Sequence, residues 1–331
     1  MKPTTLPPCR PRFYLPIVLA LLASLLGTPS MAAGAAKITP SDVYRVVERT
    51  DRTLDLILKH LEIPLPPKVE FIETGLKPRH VYQANLLVVE MLNHLETARG
   101  VAPIPIMVSR PRNFIPADVK RLVDAIDTEM TLFAGELGVT GLPLPLLPAA
   151  GKKPTDVFNR TSLTINKLTV LSSGTRVTPS VVYAQAVRAS ADACAILANV
   201  DPYRRYSHPE EKSPRGLKPM DAFAACIRLR EGLNTFRSQV GLKAHAVPAA
   251  DALKEINPVN VLLQTQVILA ELNAVKLATR TITSTPLTVK VTGKTPSDVH
   301  QKLTHTGYLL RQMVPLQKMV KVMEERTATM R

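Results

Sequence analysis

Apolar side chains recur along most of the chain at alternating steps of four and three residues, in blocks that each follow a proline. That spacing forms a seam with a period of 3.5 residues, which is typical of helices that pack side by side at shallow angles. The first block follows Pro40 and runs through Val43, Val47, Thr50, Leu54 and Ile57. Comparable series follow Pro78, Pro116, Pro154, Pro219 and Pro258.

The prolines themselves belong to a repeated phrase. Versions of it, such as "TPSDVY" at Pro40 and "TPSDVH" at Pro296, occur eight times along the 331 residues. Most intervals between successive prolines of this phrase are about as long as the one from Pro40 to Pro78. The interval from Pro154 to Pro179 is much shorter. A fixed period of this size marks repeated supersecondary units, and the short interval favours duplication of a four-unit block.

Each phrase predicts the first turn of a helix. Proline is tolerated at the first helical position, where no amide donor is needed. In five phrases an aspartate follows two residues later, where its carboxylate can accept hydrogen bonds from unpaired amides and complement the positive end of the helix. These residues are Asp42, Asp118, Asp156, Asp221 and Asp298. The seams predict helices of roughly 18–22 residues, about 30 Å long.

Proline-rich linkers, such as "IPLPPKVEFIETG" and "VAPIPIMVSRPRN", separate most of the predicted helices. A second helix in each unit would not tolerate these prolines, so we expect extended segments. Extended linkers are long enough to run back along a helix. Successive helices can therefore be parallel, with returning linkers, or can alternate in direction.

The predicted fold is all-α, a tandem duplication of a four-helix bundle-like unit with eight long helices and extended linkers. The expected domains are a signal peptide over 1–36, a first four-helix unit over 37–174 and a second over 175–331. The signal peptide is indicated by a basic start, the short apolar run "LPIVLALLASLLG" and the small residues "MAAGAA". We therefore expect an exported protein, periplasmic or secreted after cleavage; an uncleaved anchor is the alternative.

Composition narrows the class of partner. Hydrophobic residues make up 45% of the chain and charged residues 21%, which is typical of a folded globular protein. Aromatic residues make up only 4%, and tryptophan is absent, which disfavours an aromatic-lined sugar or nucleobase site. The formal net charge is +15. For an exported protein this points to anionic envelope components or another envelope protein, unless the basic residues only solvate helix faces. No nucleic-acid motif occurs.

The sequence contains no nucleophile–base, metal-ligand, haem or nucleotide motif, so no catalytic residue, cofactor or metal is predicted. We interpret the chain as an exported, non-catalytic helical binding or scaffold protein of the cell envelope. The alternative is a small-ligand sensor or carrier with a pocket in the bundle core. Its candidate residues are the polar seam positions Asn85, Thr161, Thr164 and Thr265, which otherwise fix helix register.

One linker departs from the proline-rich pattern. The segment "VDPYRRYSHPEEKSPRG" is rich in arginine and tyrosine, which are enriched where partners dock. It is the candidate partner-contact loop, with an ordinary solvated loop as the alternative. The residues expected to make contact are Tyr203, Arg204, Arg205, Tyr206 and His208.

Cys194 and Cys226 are a candidate disulfide, because export permits oxidation. Antiparallel helices would bring the two residues to similar heights. Parallel helices in register would hold them about 12 Å apart along the axis, beyond the reach of a disulfide. Two thiols that are not bonded are the alternative.

Overall fold

The computed structural model describes residues 37–100, 103–105, 110–144, 147, 149–173, 177–200 and 214–329, with side chains of the last helix as far as residue 312. These residues form eight α-helices and no strand, so the predicted all-α tandem repeat is confirmed. Each helix begins at one of the eight prolines. They are α1 (Pro40–His60), α2 (Pro78–Ala98), α3 (Pro116–Glu136), α4 (Pro154–Ser173), α5 (Pro179–Val200), α6 (Pro219–Gln239), α7 (Pro258–Ala278) and α8 (Pro296–Thr329).

The aspartates of the repeated phrase close the first turns of their helices. In α1 the backbone N–H of Thr39 donates to Oδ2 of Asp42 over 2.8 Å. This hydrogen bond lowers the pKa of Asp42. The same bond, from the residue before the proline, is made to Asp118, Asp156, Asp221 and Asp298. The phrase therefore works as a capping device.

Five helices leave their last turn through a residue with positive φ. Gly100, Gly138 and Gly241 take this role after α2, α3 and α6, with φ of 74°, 78° and 74°. After α1 and α7 the same role falls to Glu62 and Arg280, each with φ of 56°. A side chain in this conformation is strained, because its Cβ crowds the following carbonyl oxygen.

The helices pack into two rings of four. In the first, α1 and α2 each contact both α3 and α4; in the second, α5 and α6 each contact both α7 and α8. The first and fourth residues of all four helices in a ring line one small cavity, as Pro40 and Val43 do in the first ring. All four helices of a bundle therefore begin at the same end. Of the two arrangements that the linkers permit, the parallel one is right.

The predicted seam is the core of each bundle. Val43, Val47, Thr50, Leu54 and Ile57 are all buried, as are most matching positions of the neighbouring helices; Leu95 and Leu171, at the last seam position of α2 and α4, are partly buried. Burying a side chain such as leucine or isoleucine contributes roughly 1.5–3 kcal/mol. The alternating spacing thus places a mainly apolar column, interrupted by polar residues such as Thr50, along the axis of each bundle.

A pair of asparagines fixes the returning linkers at equivalent points of the two bundles. Asn93 of α2 donates from Nδ2 to the carbonyl oxygen of Ile104 over 2.9 Å and accepts from its N–H over 2.7 Å. Asn234 of α6 makes the same two bonds with the backbone of His245, over 2.7 and 2.9 Å. Both asparagines stand fifteen positions after the first residue of their helix. The linkers are therefore packed segments, held at one defined register.

The two bundles meet through α2 and α7, which run antiparallel. Arg79 Nε donates to Glu271 Oε1 over 3.0 Å, and Gln83 Nε2 donates to Gln266 Oε1 over 3.2 Å. Both bundles belong to one compact unit, Ile38–Arg331. The division into domains at residues 174 and 175 stays a prediction.

Two of the described helices, α5 and α7, are long and apolar enough to cross a membrane, with mean hydropathies of 1.2 and 1.3. However, 61% and 78% of those stretches are buried inside the fold. Contact with the neighbouring bundle is enough to explain the apolar character of α7, because a helix that is buried on all sides needs no polar face.

The candidate disulfide is not formed. Cys194 and Cys226 are free thiols, the first exposed on α5 and the second buried in α6. The physical reason is the parallel arrangement of the helices. Helices that run in the same direction and in register separate these two positions along the bundle axis, beyond the reach of a disulfide.

Candidate functional site

A cluster of buried polar side chains lies where α2 meets α6 and α7. Its centre consists of His80, His245 and Glu271, which are 0%, 8% and 2% exposed. One nitrogen or oxygen atom from each of the three lies within 4.8 Å of the other two. Two histidines and a glutamate are also the ligand set of some zinc enzymes, so the proton and charge arrangement decides what this cluster can do.

His80 occupies the capping position of α2, where five other helices have aspartate. Its Nδ1 accepts a hydrogen bond from the backbone N–H of Lys77 over 2.8 Å. In the neutral ring the proton must therefore be on Nε2. That nitrogen is 2.5 Å from Oε1 of Glu271, but the contact is not aligned as a hydrogen bond, so Nε2 is buried without a hydrogen-bond partner among the described residues.

His245 belongs to the linker after α6 and is placed by the backbone clamp of Asn234. Its Nδ1 lies 3.2 Å from Nη2 of Arg230, which can only donate, so the proton of the neutral ring is again on Nε2. This Nε2 is buried without a hydrogen-bond partner among the described residues. The ring packs on that of His80, with 4.8 Å between centroids.

Glu271 is held by arginines from both bundles. Arg79 of α2 donates to Oε1 from Nε over 3.0 Å and from Nη2 over 2.5 Å. Arg237 of α6 donates to Oε2. Both carboxylate oxygens therefore already have cationic donors, and the bond from Arg79 joins one bundle to the other.

A second carboxylate is held in the same way. Arg230 donates from Nη1 to Oε1 of Glu73 over 2.5 Å and from Nη2 to Oε2 over 3.0 Å. Glu73 lies on the linker before α2, whereas Arg230 lies on α6. Gln264 of α7 completes the group by donating to Oε1 of Glu73 over 2.7 Å. This paired contact is a further link between the bundles.

Burial keeps both imidazoles neutral. It lowers the pKa of His80 well below its usual value and lowers the pKa of His245 to about 3, and the nearby arginines act in the same direction. Burial also lowers the pKa of Arg79 and Arg237 to about 10, which leaves both guanidinium groups charged at neutral pH. The cluster thus combines three arginines, two glutamates and two uncharged histidines.

A metal ion does not fit this arrangement. A metal needs a lone pair on the nitrogen that it binds, but Nε2 of His80 carries the proton that the Lys77 hydrogen bond excludes from Nδ1. The oxygens of Glu271 are occupied by Arg79 and Arg237, and these cations would repel another one. The geometry instead fits a hydrogen-bonded joint between the two bundles.

The residues of the candidate core pocket are distributed over both bundles. Asn85 Nδ2 donates to Thr161 Oγ1 over 3.2 Å, so these two are in contact. Thr164 lies one turn further along α4, where it donates to the carbonyl oxygen of Arg160. Thr265 is in the other bundle and donates to the carbonyl oxygen of its own helix. The structure brings together only the first pair. The candidate partner-contact loop, Tyr203, Arg204, Arg205, Tyr206 and His208, lies outside the described residues.

Sequence reasoning missed the central cluster, although two signals pointed to it. In α2 and α7 the capping position holds His80 and Asn260 where five other helices have aspartate. These helices contact each other across the bundles, and α5, which has Val181 at this position, also reaches α2 through the ion pair of Arg188 with Glu90. In addition, apolar residues occur around most of α7 in the sequence, and the structure buries them on all sides. Departures from the repeat therefore mark the helices that meet across the bundles.

No family model, curated protein or solved structure matches this chain.

Proposed function

We propose that the protein is an exported, non-catalytic helical binding or scaffold protein of the cell envelope. The observation that carries this proposal is the close packing at the helix starts of both bundles, together with the pairing of buried polar groups. The cavity at the end of each bundle is about 10 Å³, which is at the lower limit for one water molecule. Buried polar groups such as Asn85 and Thr161, or Arg230 and Glu73, bind each other. Recognition then falls to the outer surface.

The helix starts are the surface that best suits an anionic partner. Each helix N-terminus carries about half a positive charge, so four parallel helices add up to about two at one end of a bundle. The capping aspartates offset part of this field. Lysines add to it: Lys152 and Lys153 precede α4, while Lys218 and Lys294 precede α6 and α8. A phosphate-bearing envelope component, either a lipid head group or a polymer, has the complementary charge.

The antiparallel contact between the bundles places basic helix starts at both ends of the protein. Because α2 and α7 run in opposite directions, the helix starts of the two bundles face opposite ends of the protein. A protein with a basic pole at each end can bridge two anionic surfaces. A scaffold in the envelope has to bridge two surfaces in this way, whereas a protein with one basic face would only adsorb to a single surface.

Vesicle clustering tests the proposal. Vesicles containing about 30% anionic phospholipid should bind the protein and become turbid, and both effects should fall in about 0.5 M salt. The double variant Lys152→Glu, Lys153→Glu should bind but no longer cluster vesicles. The control variant Arg52→Glu, Arg228→Glu has the same net charge but changes exposed residues near the middle of α1 and α6, away from both ends of the protein. It should cluster vesicles normally.

Equal loss in both variants would show that only net charge matters, and the proposal would fail. Competition by a soluble anionic polymer distinguishes the two phosphate sources. Export is tested separately by the intact mass of the native protein, which should begin after Ala32 or Ala35. A native mass that includes Met1 would contradict it.

A further inference from the structure

The junction between the bundles places two neutral histidines among fixed charges. His80 comes from the first bundle and His245 from the second, and their rings are in contact. Charged groups face them from every element that packs there. These are Arg79 on α2, Arg230 and Arg237 on α6, Glu271 on α7 and Glu73 on the linker before α2, with Lys77 and Lys243 at the margin.

Neither ring can accept a second proton without losing a contact. The only vacant protonation site on each ring is Nδ1. In His80 this atom accepts the N–H of Lys77, and in His245 it accepts the guanidinium of Arg230. A proton on Nδ1 would point at the N–H of Lys77 in His80, or at the guanidinium N–H of Arg230 in His245, so that two hydrogen-bond donors would oppose each other. It would also add a positive charge beside the arginines, which already occupy the carboxylates of Glu271 and Glu73.

We propose that the contact between α2 and α7 is an acid-sensitive joint, which opens when His80 and His245 take up protons while each bundle stays folded. Opening exposes both rings to water, so that the added charges are hydrated instead of buried. The bundles persist because their apolar seams, such as Val43, Leu54 and Ile57 in α1, lie along the axis of each bundle. Unlike these seams, the joint contains buried imidazoles that acid can protonate, so acid acts on the joint first.

The expected size of the effect follows from proton linkage. In the open state each imidazole has the ordinary pKa of about 6.5, whereas in the closed joint the pKa is far lower. Below pH 6.5, each further pH unit therefore favours the open state by about tenfold for one histidine and about 100-fold for two. For His245 this dependence continues down to pH values near 3.

A thiol placed in the joint reports its opening. Gln83 faces Gln266 across the joint and is 8% exposed, so Gln83→Cys introduces a protected thiol. The rate of its reaction with 4,4′-dithiodipyridine, a reagent that still modifies thiols at acidic pH, is compared with the rates of two other cysteines in the same protein. Cys194 is exposed and corrects for the pH dependence of thiol chemistry, whereas Cys226 is buried inside the second bundle and reports unfolding of that bundle.

Relative to Cys194, the introduced thiol should react nearly 100-fold faster at pH 4.5 than at pH 5.5. Adding His245→Gln, which keeps an acceptor for Arg230, should reduce this increase to about tenfold. Adding His80→Asn as well should abolish it; asparagine suits this position because Asn260 makes the same capping bond in α7. Replacement of the exposed His60 by glutamine should leave the increase unchanged.

Three results would overturn the proposal. The relative reactivity could stay constant in acid, or it could rise equally in the variant that lacks both histidines. Cys226 could also become reactive together with the introduced thiol, which would mean that acid unfolds the bundles instead of opening the joint.

Discussion

Removal of the buried lysine of α7 should destabilise the protein far more than removal of the whole ionic group to which it belongs. Lys276 is 0% exposed, and its Nζ lies 2.6 Å from Oδ1 of Asp192, which is 1% exposed. The hydroxyl of Thr285 donates to the other oxygen of Asp192 over 2.7 Å. Lys276→Met leaves this carboxylate buried without its cation.

The magnitude follows from the cost of burying a charge. Breaking a buried ion pair from one side typically costs about 3–5 kcal/mol, a large share of a usual stability of about 5–15 kcal/mol. Burial raises the pKa of Asp192 even though Lys276 acts in the opposite direction. Desolvation therefore outweighs attraction in this pair. The triple variant Asp192→Leu, Lys276→Met, Thr285→Val should thus remain within about 1 kcal/mol of the parent protein.

Urea unfolding followed by circular dichroism measures both free energies. The control is Lys120→Met in the exposed pair with Asp124, which should change stability by less than about 0.5 kcal/mol. A cost of under about 1 kcal/mol for Lys276→Met would refute the reasoning, because an unpaired buried carboxylate should destabilise the fold by much more. If the triple variant is as unstable as the single one, the loss comes from packing and not from an unpaired carboxylate.

Three further predictions concern stability. Glu62→Gly and Arg280→Gly should each stabilise the protein by about 1 kcal/mol, since glycine relieves the positive φ at these helix ends; unchanged urea midpoints would contradict this. Between pH 7 and 5 the free energy of unfolding of the parent should fall by about 2 kcal/mol more than that of His245→Gln. The reason is that His245 is neutral in the folded protein but takes up a proton in the unfolded chain below pH 6.5. His60→Gln should follow the parent over the same range, and parallel curves for all three would refute the linkage. Asn93→Ala removes both hydrogen bonds to the linker backbone, so it should lower the free energy of unfolding by about 1–3 kcal/mol. It should also speed proteolysis between α2 and α3, and cleavage elsewhere would argue against the clamp.

The sequence predicts the helices well because each helix start is encoded locally. Proline at the first position and aspartate two residues later act within one turn, so a short phrase such as that around Pro40 and Asp42 is sufficient. The seam through Leu54 and Ile57 likewise follows from spacing alone. Both signals depend on neighbours along the chain, and the structure confirms them.

Helix direction and the joint between the bundles could not be predicted in the same way. A seam with a period of 3.5 residues packs equally well against parallel and antiparallel partners, so the lengths of the linkers left both arrangements open. The joint depends on residues far apart in sequence, such as Glu73 with Arg230, which are 157 positions apart. The replacement of aspartate by His80, Val181 and Asn260 in the repeated phrase marked the helices involved.

The ring order of the first bundle has a consequence for how a newly made chain acquires its structure. Because α1 contacts α3 and α4, its earliest tertiary contacts span long stretches of chain; Arg49 and Asp127, for example, are 78 residues apart. A nascent α1 therefore has no partner for its apolar stripe until the third repeat has been synthesised. Closing such long loops is slow, and the incomplete chain exposes aggregation-prone surface in the meantime. A short fragment with one or two repeats is not expected to behave as an independent folding unit.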